Sequence, residues 1–322
     1  MSSPEPPELS VVVPAFDAVE TIGDQLAALV AQSVPFPWEI VVADNGSRDG
    51  TRELVSDLRA KHPEIRLVDA SARRGPSAAR NAGARAARAT LLAFCDADDV
   101  VGEGWVVAMR EALRHSALVT GRWEGDLLNP GGGFHVTWTT DPLVVKPYLP
   151  WLVGTGAGNL GIRRSVFESL DGFEESLATC EDVDLCWRAQ LAGHRLTLEP
   201  TAVLHVRKRD GLRATFRQAY AYALGDEQLR HRFAQVIARG GPGGERRDRP
   251  VSPHPARRRS VRGALLGTWS TIVGKARRGR GGVADTVWRL GEWWGHRRGR
   301  AAPAVPVVVV RDECGPRDVH RD

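Results

Sequence analysis

Strand-like and helix-like patterns alternate along the first 95 residues of this 322-residue chain. An amphipathic helical pattern fills each interval between neighbouring apolar runs. Regular alternation of this kind predicts an α/β fold with a Rossmann-like, mostly parallel, doubly wound sheet that helices cover on both faces. The four apolar runs that we predict to be strands are Leu9–Val13, Trp38–Ala43, Ile65–Val68 and Leu91–Cys95.

The fourth of these runs ends abruptly in carboxylates. Asp96, Asp98 and Asp99 follow it directly, at the point where a buried strand would reach the surface. Ligands of open α/β sheets bind at the carboxyl ends of the strands, and hard divalent cations prefer oxygen ligands. Two kinds of chemistry fit such a strand end. One is a metal site for a nucleotide-sugar, and the other is phosphoryl transfer with Asp96 as the nucleophile.

Charge is unevenly distributed along the chain. The formal net charge is +5, yet residues 239–300 contain 16 Lys and Arg against 4 Asp and Glu, which gives +12 for this segment. Residues 301–322 carry a net charge of −1, so the first 238 residues carry −6. An acidic body with a basic, helical C-terminal appendage indicates two separate tasks, the second of them directed at an anionic partner.

The sequence predicts a cytoplasmic location. The N-terminal residues MSSPEPPELS lack the basic and apolar regions of a secretory signal. No apolar run approaches the roughly 20 residues that a membrane-spanning helix needs. The four cysteines form no CxxC pair, which is typical of reduced thiols in a cytosolic protein.

Shifts in composition divide the chain into segments. In chain order we predict a disordered N-terminus (1–8), a main domain (9–235) with a nucleotide-binding half (9–100) and an acceptor-binding half (101–235), a disordered Gly/Pro/Arg linker (236–261), two basic amphipathic helices (262–300) and a tail (301–322). For the basic helices three uses are open. They pack back on the main domain, they attach to an anionic membrane surface, or they bind nucleic acid, which only charge favours and which we do not expect.

Two other strand ends carry residues suited to a nucleotide. The turn DNGSRDGT follows the second strand, where Asp44 is placed to accept a base N–H, while Pro14 and Phe16 shape the wall of a slot. A plain turn with a helix cap is the alternative for this motif. In RRGPSAARNAG, Arg80 and a helix beginning near Ser77 offer positive charge to a diphosphate. The alternative is a solvated, Arg-rich helix face.

Candidates for catalysis lie further along the chain. Glu181 and Asp182 open a predicted helix, where Glu181 suits capping and Asp182 is the better general base for an acceptor hydroxyl. His205, at the end of a predicted strand, is a candidate nitrogen ligand for the metal of Asp96 and Asp98, although a lone His is more often structural.

A glycine-rich stretch precedes these candidates. Residues 121–158 show a weak pattern that is typical of binding loops. Within it we interpret Gly154, Gly156 and Gly158 as a flexible wall of the acceptor site.

These motifs, in this order, resemble the family 2 glycosyltransferases of the GT-A fold. The resemblance spans about residues 9–206 and rests on VVVPAFDAVETI, DNGSRDGT, GPSAARNAGARAARATLLAFCDADD, NLGIRRSVFESLDGF and CEDVDLCWRAQLAGHRL. It implies a GT-A domain, a nucleotide-sugar donor, a hydroxyl-bearing acceptor (glycan, lipid-linked or small-molecule), a divalent metal (Mn²⁺ or Mg²⁺) and inversion at the anomeric carbon. Cell-wall or exopolysaccharide biosynthesis is the setting that it suggests.

The resemblance also implies roles for single residues. Asp44 would bind the donor base, Arg80 the diphosphate, Asp96 and Asp98 the nucleotide and metal, and Asp182 would be the base. Asn45 stands where a second Asp is usual, which affects the contact with base or ribose. No QxxRW follows the ED motif, and this argues against a processive polysaccharide synthase.

Two other functions compete with this one. A phosphatase of the haloacid dehalogenase type would use Asp96 as its nucleophile. That fold normally opens with the nucleophilic strand, whereas 90 residues precede this one. A catalytically degenerate sugar-nucleotide-binding module would bind donor and metal without transfer. The intact acidic pairs, Asp96 with Asp98 and Glu181 with Asp182, argue against such a module.

Overall fold

The computed structural model describes residues 5–130, 141–177, 179–241, 280–300 and 306–308. Ten strands are found in these ranges. They are β1 (Leu9–Ala15), β2 (Trp38–Asp44), β3 (Ile65–Asp69), β4 (Leu91–Phe94), β5 (Val100–Val101), β6 (Leu118–Glu124), β7 (Val144–Val145), β8 (Val153–Gly154), β9 (Leu160–Arg163) and β10 (Leu196–His205).

Eight of the strands form one sheet, in the order β3-β2-β1-β4-β9-β6-β10-β5, and β7 pairs with β8 separately. Four pairs are parallel (β1–β2, β2–β3, β1–β4 and β6–β10). The prediction of a mostly parallel sheet is therefore confirmed. Three pairs are antiparallel, two of which place β9 between β4 and β6. The antiparallel direction of β9 could not be predicted, because an isolated apolar run carries no sign of its orientation.

Nine α-helices lie in the described ranges. They are α1 (Ile22–Val30), α2 (Thr51–Lys61), α3 (Pro76–Ala86), α4 (Trp105–His115), α5 (Arg164–Ser169), α6 (Glu181–Leu191), α7 (Leu212–Arg232), α8 (Ala234–Arg239) and α9 (Arg280–Gly299).

The helices cover both faces of the sheet. Val11 and Val13 of β1 point into one core with residues of α1, α2 and α4. The intervening Val12 points into a second core with residues of α3, α5 and α6. Alternate burial along a central strand is what a doubly wound sheet requires, because side chains of a strand point to opposite faces in turn.

The C-terminal helices are joined to this body. On α6, Asp184 is fully buried and forms ion pairs with Arg188 of the same helix and with Arg232 of α7. Helix α9 then packs along α7. Of the predicted basic segment 262–300, residues 262–279 lie outside the described residues, as do the linker from residue 242 onward and most of the tail.

The predicted boundary at residue 235 is wrong. Helix α8 continues through it, and its Val236 is 2% exposed within a cluster that includes Trp187 and Phe233. Residues 236–239 are therefore helical, since Val236 and Ile237 supply apolar contacts that the surrounding Gly and Arg residues obscure in a composition count. Within the described ranges, none of the helices combines the length and hydropathy needed to span a bilayer.

Candidate active site

The carboxyl ends of β1, β2 and β4 meet at one edge of the sheet, beside a cavity of about 1040 Å³. Its lining includes five of the residues that sequence analysis selected, namely Pro14, Phe16, Arg80, Asp96 and Asp98. Asn45, Arg74 and the segment Arg207–Arg209 also line it. A cavity of this volume suits a small-molecule ligand. The structure thus gathers these side chains, while their roles stay predictions.

Three carboxylates cluster beside this cavity, two of which, Asp96 and Asp98, line it. One oxygen from each of Asp96, Asp98 and Asp99 lies within 4.8 Å of the others. Burial and the charge of Asp96 raise the pKa of Asp98, while the charge of Arg209 opposes the shift. Burial and the charges of Asp98 and Asp96 raise the pKa of Asp99 as well. Crowded carboxylates that resist ionisation are stabilised by a cation, and a set of three oxygen donors fits a hard divalent metal.

The turn that bears this cluster is fixed by a side chain that sequence analysis did not select. Gln25 of α1 is fully buried. Its Nε2 donates to the carbonyl oxygen of Asp96 over 3.0 Å, and its Oε1 accepts from the amide of Val101. This role of Gln25 could not be predicted from the sequence, because its hydrogen-bond partners are 71 and 76 residues away.

His205 lies apart from the metal-ligating group found among the described residues, in which Asp99 is the third member. Its Nδ1 is 2.7 Å from an oxygen of Glu124, on the neighbouring strand β6. This hydrogen bond is the largest cause that lowers the pKa of Glu124. The structure therefore assigns Asp99 to the cluster and leaves the metal role of His205 a prediction.

Arg80 connects the two acidic motifs. Its side chain is 7% exposed, with one terminal nitrogen 2.6 Å from Asp96 and the other 2.7 Å from Glu181. Both terminal nitrogens are engaged by carboxylates, and the predicted contact of Arg80 with a diphosphate stays a prediction. Burial alone would lower the pKa of Arg80, but the charges of Asp96 and Glu181 raise it. Arg80 is a permanent cation that holds the start of α6 against the acid cluster.

Asp182 follows Glu181 at the start of α6. Its two oxygens accept hydrogen bonds from the amides of Val183 (2.7 Å) and Ala157 (3.2 Å). Burial and the adjacent charge of Glu181 raise the pKa of Asp182 to about 7. A carboxylate with a pKa near neutrality is suited to proton transfer in either direction at physiological pH.

The glycine-rich loop packs closely against these acids, and its interpretation as a flexible wall of the acceptor site stays a prediction. A Cβ on Gly158 would lie 2.9 Å from Asp96, and one on Gly156 would lie 2.7 Å from the Trp123 ring and 3.8 Å from Asp182. Since no larger side chain fits, the glycines let the loop pass between the two carboxylates.

The turn after β2 fastens the loop after β1. Ser47, Asp49 and Thr51 accept hydrogen bonds from the consecutive amides of Asp17, Val19 and Ala18 respectively. These three hydrogen bonds show that much of the DNGSRDGT motif serves to hold the loop after β1 in place. The same hydrogen bonds keep Phe16, which lines the cavity, beside the turn.

Asp44 and Asn45 have different surroundings. Asp44 is fully buried, and its oxygens accept from the amides of Gly46 and Ser47 and from Arg52. Its predicted contact with a base stays a prediction. Asn45 lines the cavity, donates to the carbonyl oxygens of Ala70 and Arg73, and accepts from the amide of Gly75. An ionised Asp at this position could donate neither of these two hydrogen bonds. The Asn that stands where the family usually has a second Asp therefore suits the loop.

A basic segment after β10 was missed by sequence analysis. Arg207 donates its amide to Asp99 (2.8 Å) and its Nε to the carbonyl oxygen of Asp98 (3.0 Å). Lys208 and Arg209 follow it along the cavity lining. The signal was present as three consecutive cations after a predicted strand, but nothing in the sequence showed that this strand lies beside the acidic turn.

A mostly parallel α/β sheet, with a carboxylate cluster and a cavity at its carboxyl edge, fits the class of GT-A glycosyltransferases. Residues 10–170, half of the chain, match the family model described as "Glycosyl transferase family 2". The chain belongs to this family.

Named relatives agree with this assignment. The chain is 28% identical over 194 residues to glycosyltransferase AglE of Haloferax volcanii. The aligned region covers 59% of this chain and 64% of the relative. It is 29% identical over 217 residues to the succinoglycan biosynthesis protein ExoO of Rhizobium meliloti, covering 63% and 62%. The chain thus spans less than two thirds of the length of each of these relatives.

A solved structure has the same fold. The mannosyltransferase PcManGT from Pyrobaculum calidifontis, in complex with GDP-Man and Mn²⁺, is 20% identical, with a TM-score of 0.59 over 90% of this chain and 88% of that one. The likeness confirms the GT-A fold.

Proposed function

We propose that this glycosyltransferase moves a sugar from a nucleotide-sugar to a hydroxyl group, with inversion and with a divalent metal. The observation that carries the proposal is the acid cluster of Asp96, Asp98 and Asp99 beside the cavity, joined through Arg80 and Glu181 to the start of the helix that bears Asp182. Donor-side and acceptor-side carboxylates are thereby held in one framework.

Asp96, Asp98 and Asp99 would hold the metal, with Mn²⁺ and Mg²⁺ both compatible with oxygen ligands. When bound, such an ion acts as a Lewis acid that neutralises charge on the leaving diphosphate. The structure of PcManGT in complex with GDP-Man and Mn²⁺ supports the choice of a nucleotide-sugar and a divalent metal. Around the donor, Phe16 and Pro14 would face the base, and Lys208 and Arg209 would face the diphosphate in the place that we first gave to Arg80.

Asp182 would act as the general base. It takes the proton of the acceptor hydroxyl while that oxygen forms a bond to the anomeric carbon and the bond from this carbon to the diphosphate oxygen breaks. The nucleoside diphosphate leaves from the opposite side, which gives inversion in a single displacement. Proton removal by a positioned base contributes on the order of 10²–10⁴ in rate.

The proposal is tested with a panel of nucleotide-sugars assayed for Mn²⁺-dependent hydrolysis and transfer. We expect one donor to be turned over by the parent chain. Asp182→Asn should bind the same nucleotide with unchanged affinity and lose about 10²–10⁴ of the transfer rate. Near-normal transfer by this variant would remove Asp182 from the mechanism. Nucleotide and metal binding without any turnover by the parent would favour the degenerate module instead.

The phosphatase alternative has lost its support. The chain belongs to a glycosyltransferase family, and the carboxylate of Asp96 accepts a hydrogen bond from Arg80, which lowers its availability as a nucleophile. Formation of a phosphoaspartate at Asp96 would restore that alternative.

We also propose a cytoplasmic location, an anionic membrane surface as a partner of residues 262–300, and a role in the synthesis of a cell-surface polysaccharide. Cys95, Cys180 and Cys186 are free thiols, which supports a reducing compartment. The net charge of +12 over residues 239–300 supports an anionic partner. The name of the relative ExoO supports polysaccharide synthesis.

A further inference from the structure

Helix α9 contacts α7 through its smallest residues. Ala284 is fully buried, and Gly291 and Gly295 are buried as well. A Cβ on Gly291 would lie 2.6 Å from the carbonyl oxygen of Phe216, and one on Gly295 would collide with the carbonyl oxygen of Tyr220. The two backbones therefore approach closely along a face that only small residues can form.

The bulky side chains of α9 point the other way. Leu290, Trp293 and Trp294 are 42%, 55% and 46% exposed. At 3.6 residues per turn, these three residues and Arg297 fall within about 100° of arc, on the side of the helix away from Gly291. We call these four residues the tryptophan face.

Positive charge accompanies the tryptophan face. Arg289, Arg297 and Arg298 are exposed, and the guanidinium carbon of Arg297 lies 5.7 Å from the ring centre of Trp293. The two acidic residues of α9, Asp285 and Glu292, fall about 130–150° around the helix from the centre of this face. The two indole rings and Arg297 thus lie on a different side of the helix from its acids.

We propose that the tryptophan face docks on the surface of an anionic lipid bilayer. Indole rings favour the depth of the headgroups, where one part of the ring meets the acyl chains and the N–H meets water. Arg side chains beside them pair with lipid phosphates. The net charge of +12 over residues 239–300 adds long-range attraction to an anionic surface. This inference rests on the proposed membrane partner of residues 262–300 and assigns it to one face of α9, and it is independent of the proposed reaction.

The test uses the full chain and two kinds of large vesicles, one of phosphatidylcholine alone and one of equal parts phosphatidylcholine and phosphatidylglycerol. Sedimentation should show binding to the anionic vesicles only. Trp293→Ser/Trp294→Ser should bind at least tenfold more weakly, and Leu290→Ser should also bind more weakly. Leu198→Ser is the matched control, because Leu198 on β10 is also 42% exposed and should bind as the parent does.

Thermal unfolding and donor hydrolysis show whether each variant is intact. Should the double variant fail to fold, Arg297→Gln/Arg298→Gln serves instead, with exposed Arg59→Gln as its control. Full binding by the variants, or equal binding to neutral vesicles, would overturn the proposal. So would a dimer in lipid-free solution that Trp293→Ser/Trp294→Ser converts to monomer, since the face would then join two copies. Tighter binding of RNA than of anionic vesicles through the same residues would overturn it as well.

Discussion

Asp182 must be ionised before it can accept a proton. Its pKa is raised to about 7 by burial and by the charge of Glu181, so the protonated form gains population as the pH falls through that value. We therefore expect the transfer rate at saturating substrates to fall about tenfold per pH unit below 7 and to level off above it. Nucleotide affinity measured at each pH separates this effect from titration of the acid cluster. A constant rate down to about two units below 7 would contradict the assignment.

Asn45 offers a test of loop architecture at a single residue. In Asn45→Asp the carbonyl oxygens of Ala70 and Arg73 would lose their donor and face a carboxylate. Because Asn45 is 5% exposed, we expect the free energy of unfolding to drop by about 1–3 kcal/mol, as measured by urea denaturation. Gln235→Glu makes the same chemical change on an exposed side chain of α8 and should be nearly neutral. Equal stability of both variants would show that the loop does not need the amide.

The residues that sequence reasoning placed correctly share one property. Asp96 and Asp98 follow a strand, and the carboxyl ends of parallel strands meet at one edge. The pairing of Arg80 with Glu181 was not accessible in this way, because these residues are 101 positions apart and belong to two helices whose packing the pattern does not encode. The same holds for Gln25 beneath the acidic turn.

At the scale of elements, most helices and strands were predictable because their apolar periodicity is set by burial. The four strands predicted in the first 95 residues correspond to β1, β2, β3 and β4. The packed face of α9 was not predictable from hydropathy, since glycine makes no apolar stripe. Its role depends on how closely the backbone of α7 approaches, which is a property of the helix pair and not of α9 alone.

The close contact of α7 and α9 leads to a prediction. Gly291→Ala would place a Cβ 2.6 Å from the carbonyl oxygen of Phe216, and overpacking should cost about 1–3 kcal/mol of unfolding free energy. Gly23→Ala is the control, because its Cβ would make an ordinary contact of 3.8 Å with Leu54 and helix propensity should add up to about 1 kcal/mol. Hydrogen exchange in α9 should rise in the first variant alone. Unchanged exchange there would mean that α9 is not held by this face.

At the scale of the whole molecule, the acid cluster couples stability to pH and to metal. The ordinary pKa of Asp98 is 3.8, and burial and Asp96 raise it in the folded chain. The folded state therefore binds protons more tightly than the unfolded state. Without metal, stability should be greatest below 3.8 for this group and should be lost as the pH rises through the raised value. A divalent cation bound to the ionised carboxylates should offset that loss.

Thermal unfolding with Mn²⁺, with Mg²⁺ and with chelator, across the same pH range, measures this coupling. At a free metal concentration about 100-fold above Kd, the gain in unfolding free energy should reach about 2.7 kcal/mol. The gain should increase with pH, because the metal competes with protons for the same oxygens. Asp98→Asn should be more stable than the parent at neutral pH without metal and should lose most of the metal-dependent gain. Glu53→Gln, on the exposed side of α2, controls for the change of charge, and an equal metal response in both variants would exclude the cluster as the metal site.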